Sequence, residues 1–290
     1  MKDEREDQGV YKIKITGDST MDLSKELLQQ YDMDVIPLYI NMEEQSYRDG
    51  IDIVPDDIYS YVNQTGKLSK TSAPTIEDYT ELFRAYKKDY DAILHFNISS
   101  DFSSAHQNAM AAAAQMEGVY PIDSRSLSSG TGILAIEAAE MAQQGMDPQS
   151  IVDEIQNLIP KVEISFLIDT LVYLHKGGRC SSVAMLGANV LKLKPCIEVI
   201  DGRMLVGKKY RGSYESCVMN YVRDRLSGRT DIRTHRIFCT HTRCEKDLVT
   251  KVLEETKQYQ TFTERLDTWA GCTVTNHCGP GTLGIIYIRK

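Results

Sequence analysis

Along the first half of the chain, short apolar runs alternate with segments of helical spacing. Tyr11–Thr16 (YKIKIT) alternates apolar and polar positions with the period of two that a half-buried strand requires, and the turn GDSTMD follows it. Ser24 reads as a helix N-cap, with Leu23 and Leu28 spaced as a hydrophobic staple. Val35–Ile40 (VIPLYI) predicts a second strand, in which Pro37 marks an edge or a bulge. Pro55–Asn63 and Thr75–Lys88 carry helical spacing. Asp91–Ile98 is a nearly continuous apolar run, the pattern of a parallel strand covered on both faces. A helix over Ser103–Met116, a strand over Val119–Ile122 and a helix over Gly132–Gln144, closed by Gly145, come next. Asp147 and Pro148 open a further helix as N-cap and first helical residue. This alternation predicts a parallel sheet with helices on both faces. The helix Pro148–Leu158 marks the border between two domains, 1–158 and 159–290.

After the border the pattern is more mixed. Glu163–Ile168 reads as a strand, Thr170–Lys176 as a helix stopped by Gly177-Gly178, and Ser181–Leu191 as another helix. Cys196–Ile200 and Met204–Lys208 flank Asp201-Gly202, a hairpin whose turn needs positive φ. Helices over Ser213–Leu226 and Glu245–Gln258, with strands over Arg236–Thr240, Cys272–Thr275 and Leu283–Ile288, complete a smaller domain with a mixed sheet. The expected class is therefore α/β in two domains.

Composition excludes more than it selects. The 290 residues are 42% hydrophobic and 26% charged, with a net charge of −8, which speaks against a general nucleic-acid surface. The N-terminal MKDEREDQG has no apolar core of a secretory signal, and no run approaches the ~18 apolar residues of a membrane span. The seven cysteines form no C-x-x-C pair, so buried thiols in a reducing, cytoplasmic setting are expected, without metal or cofactor.

Five segments could carry chemistry. NISSDFSSAHQ (97–107) puts Ser99, Ser100, Ser103 and Ser104 between a buried strand and a helix, where ligands of open parallel sheets bind. Hydroxyls and a helix N-terminus there suit an anion, although Ser103 as N-cap and the rest as turn residues explains them equally. Thr71-Ser72, before Pro74, is either a second hydroxyl pair for a ligand or a plain cap. HKGGRCSS (175–182) presents Arg179 on a glycine loop, suited to phosphate or an acidic partner surface. His277, in NHCGPGTLG, precedes a glycine–proline–glycine loop between two strand signals and could donate to an oxyanion or serve the structure alone. Asp18 and Asp22 in GDSTMD could hold Mg²⁺ or simply order a turn, which leaves open a Mg²⁺-dependent transferase or hydrolase using Asp18, Asp22 and His277. The phosphate loop, the dinucleotide fingerprint, the nucleophile elbow and the H-E-x-x-H pair are all missing, so the inventory suits binding more than catalysis.

Together these segments resemble the DegV family, which includes the fatty-acid-binding subunits of bacterial fatty acid kinase. The matching motifs include GDSTMDL (17–23), KTSAP (70–74), ISSDFSSA (98–105), IDSRSLSSGTG (122–132), HKGGRCSS and HCGPGTLG (277–284). The resemblance implies two α/β domains with a long-chain fatty acid held between them. Its carboxylate would be bound by Thr71 and Ser103 with His277 nearby, and Ser72, Ser99 and Gly279 would complete the pocket. Arg179 would meet a separate ATP-dependent kinase that forms the acyl phosphate, so that this chain has no catalytic residue of its own. Departures at Ala73, Ser104-Ala105 and Cys180 bear on lipid selectivity and partner choice.

Overall fold

The computed structural model describes residues 11–180 and 193–290. The apolar runs of the first half become strands β1 (Ile13–Asp18), β2 (Met33–Ile36), β6 (Ala92–Asn97) and β7 (Val119–Asp123), all parallel, in the order β2-β1-β6-β7. Helices α1 (Lys25–Gln30), α3 (Ile76–Tyr86), α4 (Ala105–Ala113), α5 (Ser129–Gln143) and α6 (Pro148–Leu158) connect or follow them. Ser24 caps α1 by accepting the Leu27 N–H, and Asp147 caps α6 by accepting that of Ser150. Every side chain of β6 is buried, as its nearly continuous apolar run leads one to expect, and the two polar ones, His95 and Asn97, bond Asp18.

The VIPLYI segment is two strands rather than one. Pro37 cannot donate to a ladder, and the chain leaves the parallel sheet there. It resumes as β3 (Tyr39–Met42), the centre of a small antiparallel sheet with β4 (Gln45–Arg48) and β5 (Lys70–Ser72). Helix α2 (Pro55–Thr65) lies between β4 and β5 in the chain.

The second half builds a mixed six-stranded sheet in the order β10-β9-β8-β13-β11-β12. Its strands are β8 (Val162–Ile168), β9 (Leu193–Ile200), β10 (Arg203–Arg211), β11 (Ile232–His241), β12 (Glu264–Trp269) and β13 (Thr282–Arg289). The hairpin β9–β10 turns on Asp201 and Gly202, both at positive φ as expected. Helices α7 (Val172–Gly177), α8 (Tyr214–Leu226) and α9 (Lys246–Tyr259) fall close to their predicted positions. The helix expected over Ser181–Leu191 lies outside the described residues. Cys272–Thr275 is not a strand: it opens helix α10 (Cys272–Cys278). Strand β12 was not anticipated, because its ERLDTW alternation is broken by charge.

Helix α5 packs on β1 and β6 of one sheet and on β8 and β13 of the other. Its residues from Ser129 to Ala139 are buried without interruption, as a helix enclosed on all sides must be. A single apolar cluster runs from Ile15 and Phe96 through Ile133 to Phe166 and Ile286, so the two halves share a core. Across this contact Arg236, 1% exposed at its side chain, binds Glu140 at 2.6 Å and Glu137 at 3.5 Å, and within its own sheet Glu264 at 2.6 Å. Among the described residues no helix is long and apolar enough to cross a membrane. Of the seven cysteines all but Cys244 are buried.

Candidate functional site

The site forms where α10 meets the small sheet. Asp49 accepts the N–H groups of Cys272 at 2.8 Å and Thr273 at 2.9 Å, and Asp22 accepts that of Gly271 at 2.8 Å. Two acidic side chains of the first half thus satisfy the first turn of a helix in the second. One turn on, Asn276 exchanges two hydrogen bonds with Ser69: the Ser69 hydroxyl donates to its Oδ1 at 2.5 Å and its Nδ2 donates to the Ser69 carbonyl at 3.0 Å. These fix β5 beside α10 and bring Thr71 Oγ1 to 2.9 Å from His277 Nε2.

Burial, with the Arg179 guanidinium beside it, lowers the His277 pKa to about 4, so the imidazole is neutral at physiological pH. Its Nδ1 is buried without a partner against Gly177, where an added Cβ would fall 2.5 Å away. A bare acceptor lone pair costs less there than an unsatisfied N–H, so the proton belongs on Nε2. Nε2–H then donates to Thr71 Oγ1, and the threonine hydroxyl keeps its own proton for a ligand. The glycine–proline–glycine loop leaves α10 through Gly279 at φ 73. The group that closely approaches this glycine is the Tyr173 ring, 2.5 Å from where a Cβ would sit.

The serine cluster divides its work. Ser103 Oγ accepts the Ala105 N–H at 3.2 Å, whereas the N-cap of α4 is Ser104, not Ser103, and it makes no side-chain capping bond. Ser99 is fully buried and donates to the Gly202 carbonyl at 2.9 Å, and Ser100 accepts from Arg125 at 3.2 Å. The first two serines therefore bind the hairpin turn and its neighbouring loop to the parallel sheet. Asp101 adds an ion pair with Arg203 at 2.8 Å to the same latch.

Thr71, Ser72, Ser103, Arg179 and His277 all wall one cavity of about 260 Å³. Ser99 and Gly279 do not: the one is turned to Gly202 and the other packs on Tyr173. Inward from the hydroxyls the wall is apolar, from Leu38, Ile98, Phe102, Leu127, Met204 and Val274. None of these six stands out in the sequence as a lining residue, although an apolar Phe102 amid serines is a usable signal. Arg179 is exposed at the mouth and is the only cationic side chain among the described lining residues.

Asp18, Asp22 and His277 do not meet. Asp18 accepts from Tyr79 Oη at 2.8 Å, Asn97 Nδ2 at 3.1 Å and the Ile98 N–H at 3.0 Å, with His95 Nε2 at 3.3 Å. It is fully buried and fixes the start of the serine loop to the end of β1. Asp22 binds Ser128 and Gly271, and burial, opposed by those two bonds and helped by nearby Asp49, raises its pKa to about 8. Among the described residues no cluster of histidine, cysteine and carboxylate side chains is placed to hold a metal ion.

Fold and site together define a two-domain α/β protein with an apolar cavity walled by both domains and a rim of hydroxyls. A family model described as "Uncharacterised protein, DegV family" matches residues 12–290, and the chain belongs to that family. It is 28% identical over 284 residues to a protein of Thermotoga maritima named fatty acid-binding protein, covering 94% of this chain and 96% of that one. Among solved structures it is similar to a DegV lipid-binding protein from Thermotoga maritima, with 26% identity, a TM-score of 0.85, and 96% and 98% of the two chains covered. It is also similar to a DegV family protein from Thermus thermophilus described by its fatty acid binding, with 27% identity, a TM-score of 0.85, and 96% and 100% covered. Fatty-acid binding by DegV family proteins is thus supported from both sequence and structure.

Proposed function

We propose that this protein is a cytoplasmic, non-catalytic carrier that binds a long-chain fatty acid and presents its carboxylate to a separate ATP-dependent kinase for acyl phosphate formation. The observation that carries the reading is the Thr71–His277 pair in a cavity that joins a set of hydroxyls to an apolar wall. Burying the chain contributes about 0.8 kcal/mol per methylene before ordering costs. The carboxylate still needs hydrogen bonds, since a buried unpaired charge is expensive. Thr71 and Ser103 supply hydroxyl donors, and neutral His277 orients Thr71 without adding charge. A carboxylate held by neutral donors remains nucleophilic enough to attack a γ-phosphate brought by the partner, and Arg179 stands at the mouth where that partner would dock. The absent nucleotide motifs suit a division of labour of this kind, and the name of the Thermotoga maritima relative supports its fatty-acid half.

The test is mass spectrometry of lipid extracted from the purified protein, followed by titration of Thr71→Val and Ser103→Ala. Each charge-assisted hydrogen bond is worth about 1.5–3 kcal/mol, so each variant should lose roughly ten- to hundredfold in affinity. Acyl phosphate should form only when this protein, fatty acid, ATP and a fatty acid kinase are combined. Wild-type affinity in the double variant would refute the head-group assignment, and acyl phosphate made by this chain alone would refute the carrier role.

A further inference from the structure

Behind the main cavity lies a second space of about 20 Å³, walled by β8, β11, β13 and the start of α5. It has room for about one water. The main cavity, at about 260 Å³, falls short of the ~300–1,000 Å³ usual for small-molecule pockets. Even together the two spaces stay just below that range, so a long tail that reaches the deep end must displace the side chains between them. Leu127, Val274 and Cys278 belong to the walls of both spaces and form the partition between them. They come from the two halves: Leu127 from the segment entering α5, Val274 and Cys278 from one face of α10, four residues apart.

The partition is held in place from both sides by one group. Asp22 accepts from the Ser128 hydroxyl, next to Leu127, and from the Gly271 N–H at the head of α10. Ser128 itself sits at φ 54 and ψ −144, a conformation a non-glycine residue keeps only when its surroundings enforce it. The hydroxyls behind the partition have partners of their own. Thr240 Oγ1 bonds with Ser129 and Thr268, Thr282 Oγ1 donates to the Cys278 carbonyl, and Ser165 bonds with Tyr221. What remains is an apolar end of Ile164, Phe166 and Ile286.

We propose that Leu127, Val274 and Cys278 set the acyl-chain length the protein accepts, by opening or closing the deep space to the end of the tail. The proposal rests on the fatty-acid reading above. A chain long enough to pass the three side chains gains the deep apolar wall, and a shorter one stops in front of them.

The test offers an equimolar mixture of decanoic, tetradecanoic and octadecanoic acids to wild type, Leu127→Ala, Val274→Ala and Val274→Phe. Bound lipid is read by native mass spectrometry and folding by thermal melting. The alanine variants should raise the ratio of octadecanoic to decanoic acid about tenfold, which corresponds to burying roughly two more methylenes. Val274→Phe should lower it. If the phenylalanine variant does not fold, Cys278→Ala carries the test in the widening direction. The same ratio in all folded variants would overturn the proposal while leaving fatty-acid binding intact. A wild type that binds none of the three acids would overturn the fatty-acid reading itself, and this inference with it.

Discussion

Replacing Asp22 with asparagine should remove a pH dependence from the protein's stability. Asp22 is 5% exposed, and burial with Asp49 nearby raises its pKa from 3.8 to about 8 against the lowering effect of its bonds from Ser128 and Gly271. The unfolded chain releases this proton near pH 3.8, the folded protein only near 8. Between those values the folded state holds a proton that the unfolded state has lost. The contribution of Asp22 is therefore greatest below the lower value, falls as pH rises through the window, and is level above the upper one. One proton gives a slope of about 1.4 kcal/mol per pH unit. Across only two units that is ~3 kcal/mol, a large part of the ~5–15 kcal/mol that holds a domain folded. Asparagine has the same shape, keeps an oxygen for the Gly271 N–H, and gives the Ser128 oxygen an amide to accept from. Urea unfolding of both proteins from about pH 5 to about pH 9 reads the difference directly. The gap between variant and wild type should widen in the variant's favour up to about pH 8 and then stay constant. A gap that does not change with pH would show that Asp22 is ionised throughout, and the argument from its burial would fail.

Two further outcomes follow from single contacts. Gly177→Ala places a methyl 2.5 Å from His277 Nδ1, so the imidazole must leave Thr71. Fatty-acid affinity should fall about tenfold in a displacement titration, as expected for one lost hydrogen bond to a charged group, with little change in melting temperature. Unchanged affinity would mean that the ring does not orient the threonine. Arg236→Ala leaves Glu137, Glu140 and Glu264 without their shared cation at a largely buried contact. Chemical unfolding should show a loss of about 3–5 kcal/mol, and a loss under about 1 kcal/mol would show that solvent compensates the carboxylates.

The sheets were legible where burial imposes a pattern. Asp91–Ile98 is apolar enough, despite His95 and Asn97, to read as a covered strand, and all of β6 is buried. The hairpin was legible because Asp201 and Gly202 both occupy positive φ, a demand few residue pairs meet. Helix α10 was not. CTVTNHC is rich in β-branched residues and only seven residues long, so local preference favours a strand. Contacts distant in sequence override that preference: Asp22 and Asp49 satisfy its first N–H groups from more than two hundred residues away, and Ser69 fastens Asn276. The same kind of distant contact hid the fates of the serines. Their hydroxyls mark a site in the sequence, but only the packed hairpin tells Ser99, bonded to Gly202, from Ser103, which faces the cavity.

On the proposed reading, the arrangement of α10 makes head-group recognition and the packing of the two domains one construction. Its N-terminus is held by Asp22 and Asp49 of the first half, its middle by Ser69, and its last turn presents His277 to Thr71 of the same half. Val274 and Cys278, on the face toward Leu127, wall the cavity within the shared core. A ligand lying in this cavity touches both halves at once, so its binding energy adds to the contact between them by mass action. Neutral donors suit such a position. A fixed cation at the buried end would carry its own desolvation cost whenever the cavity was empty, whereas two hydroxyls and an uncharged imidazole bear a far smaller one. Arg179, the one cationic side chain among the described lining residues, is exposed, so that water can solvate it in the empty protein and an anion can meet it on entry.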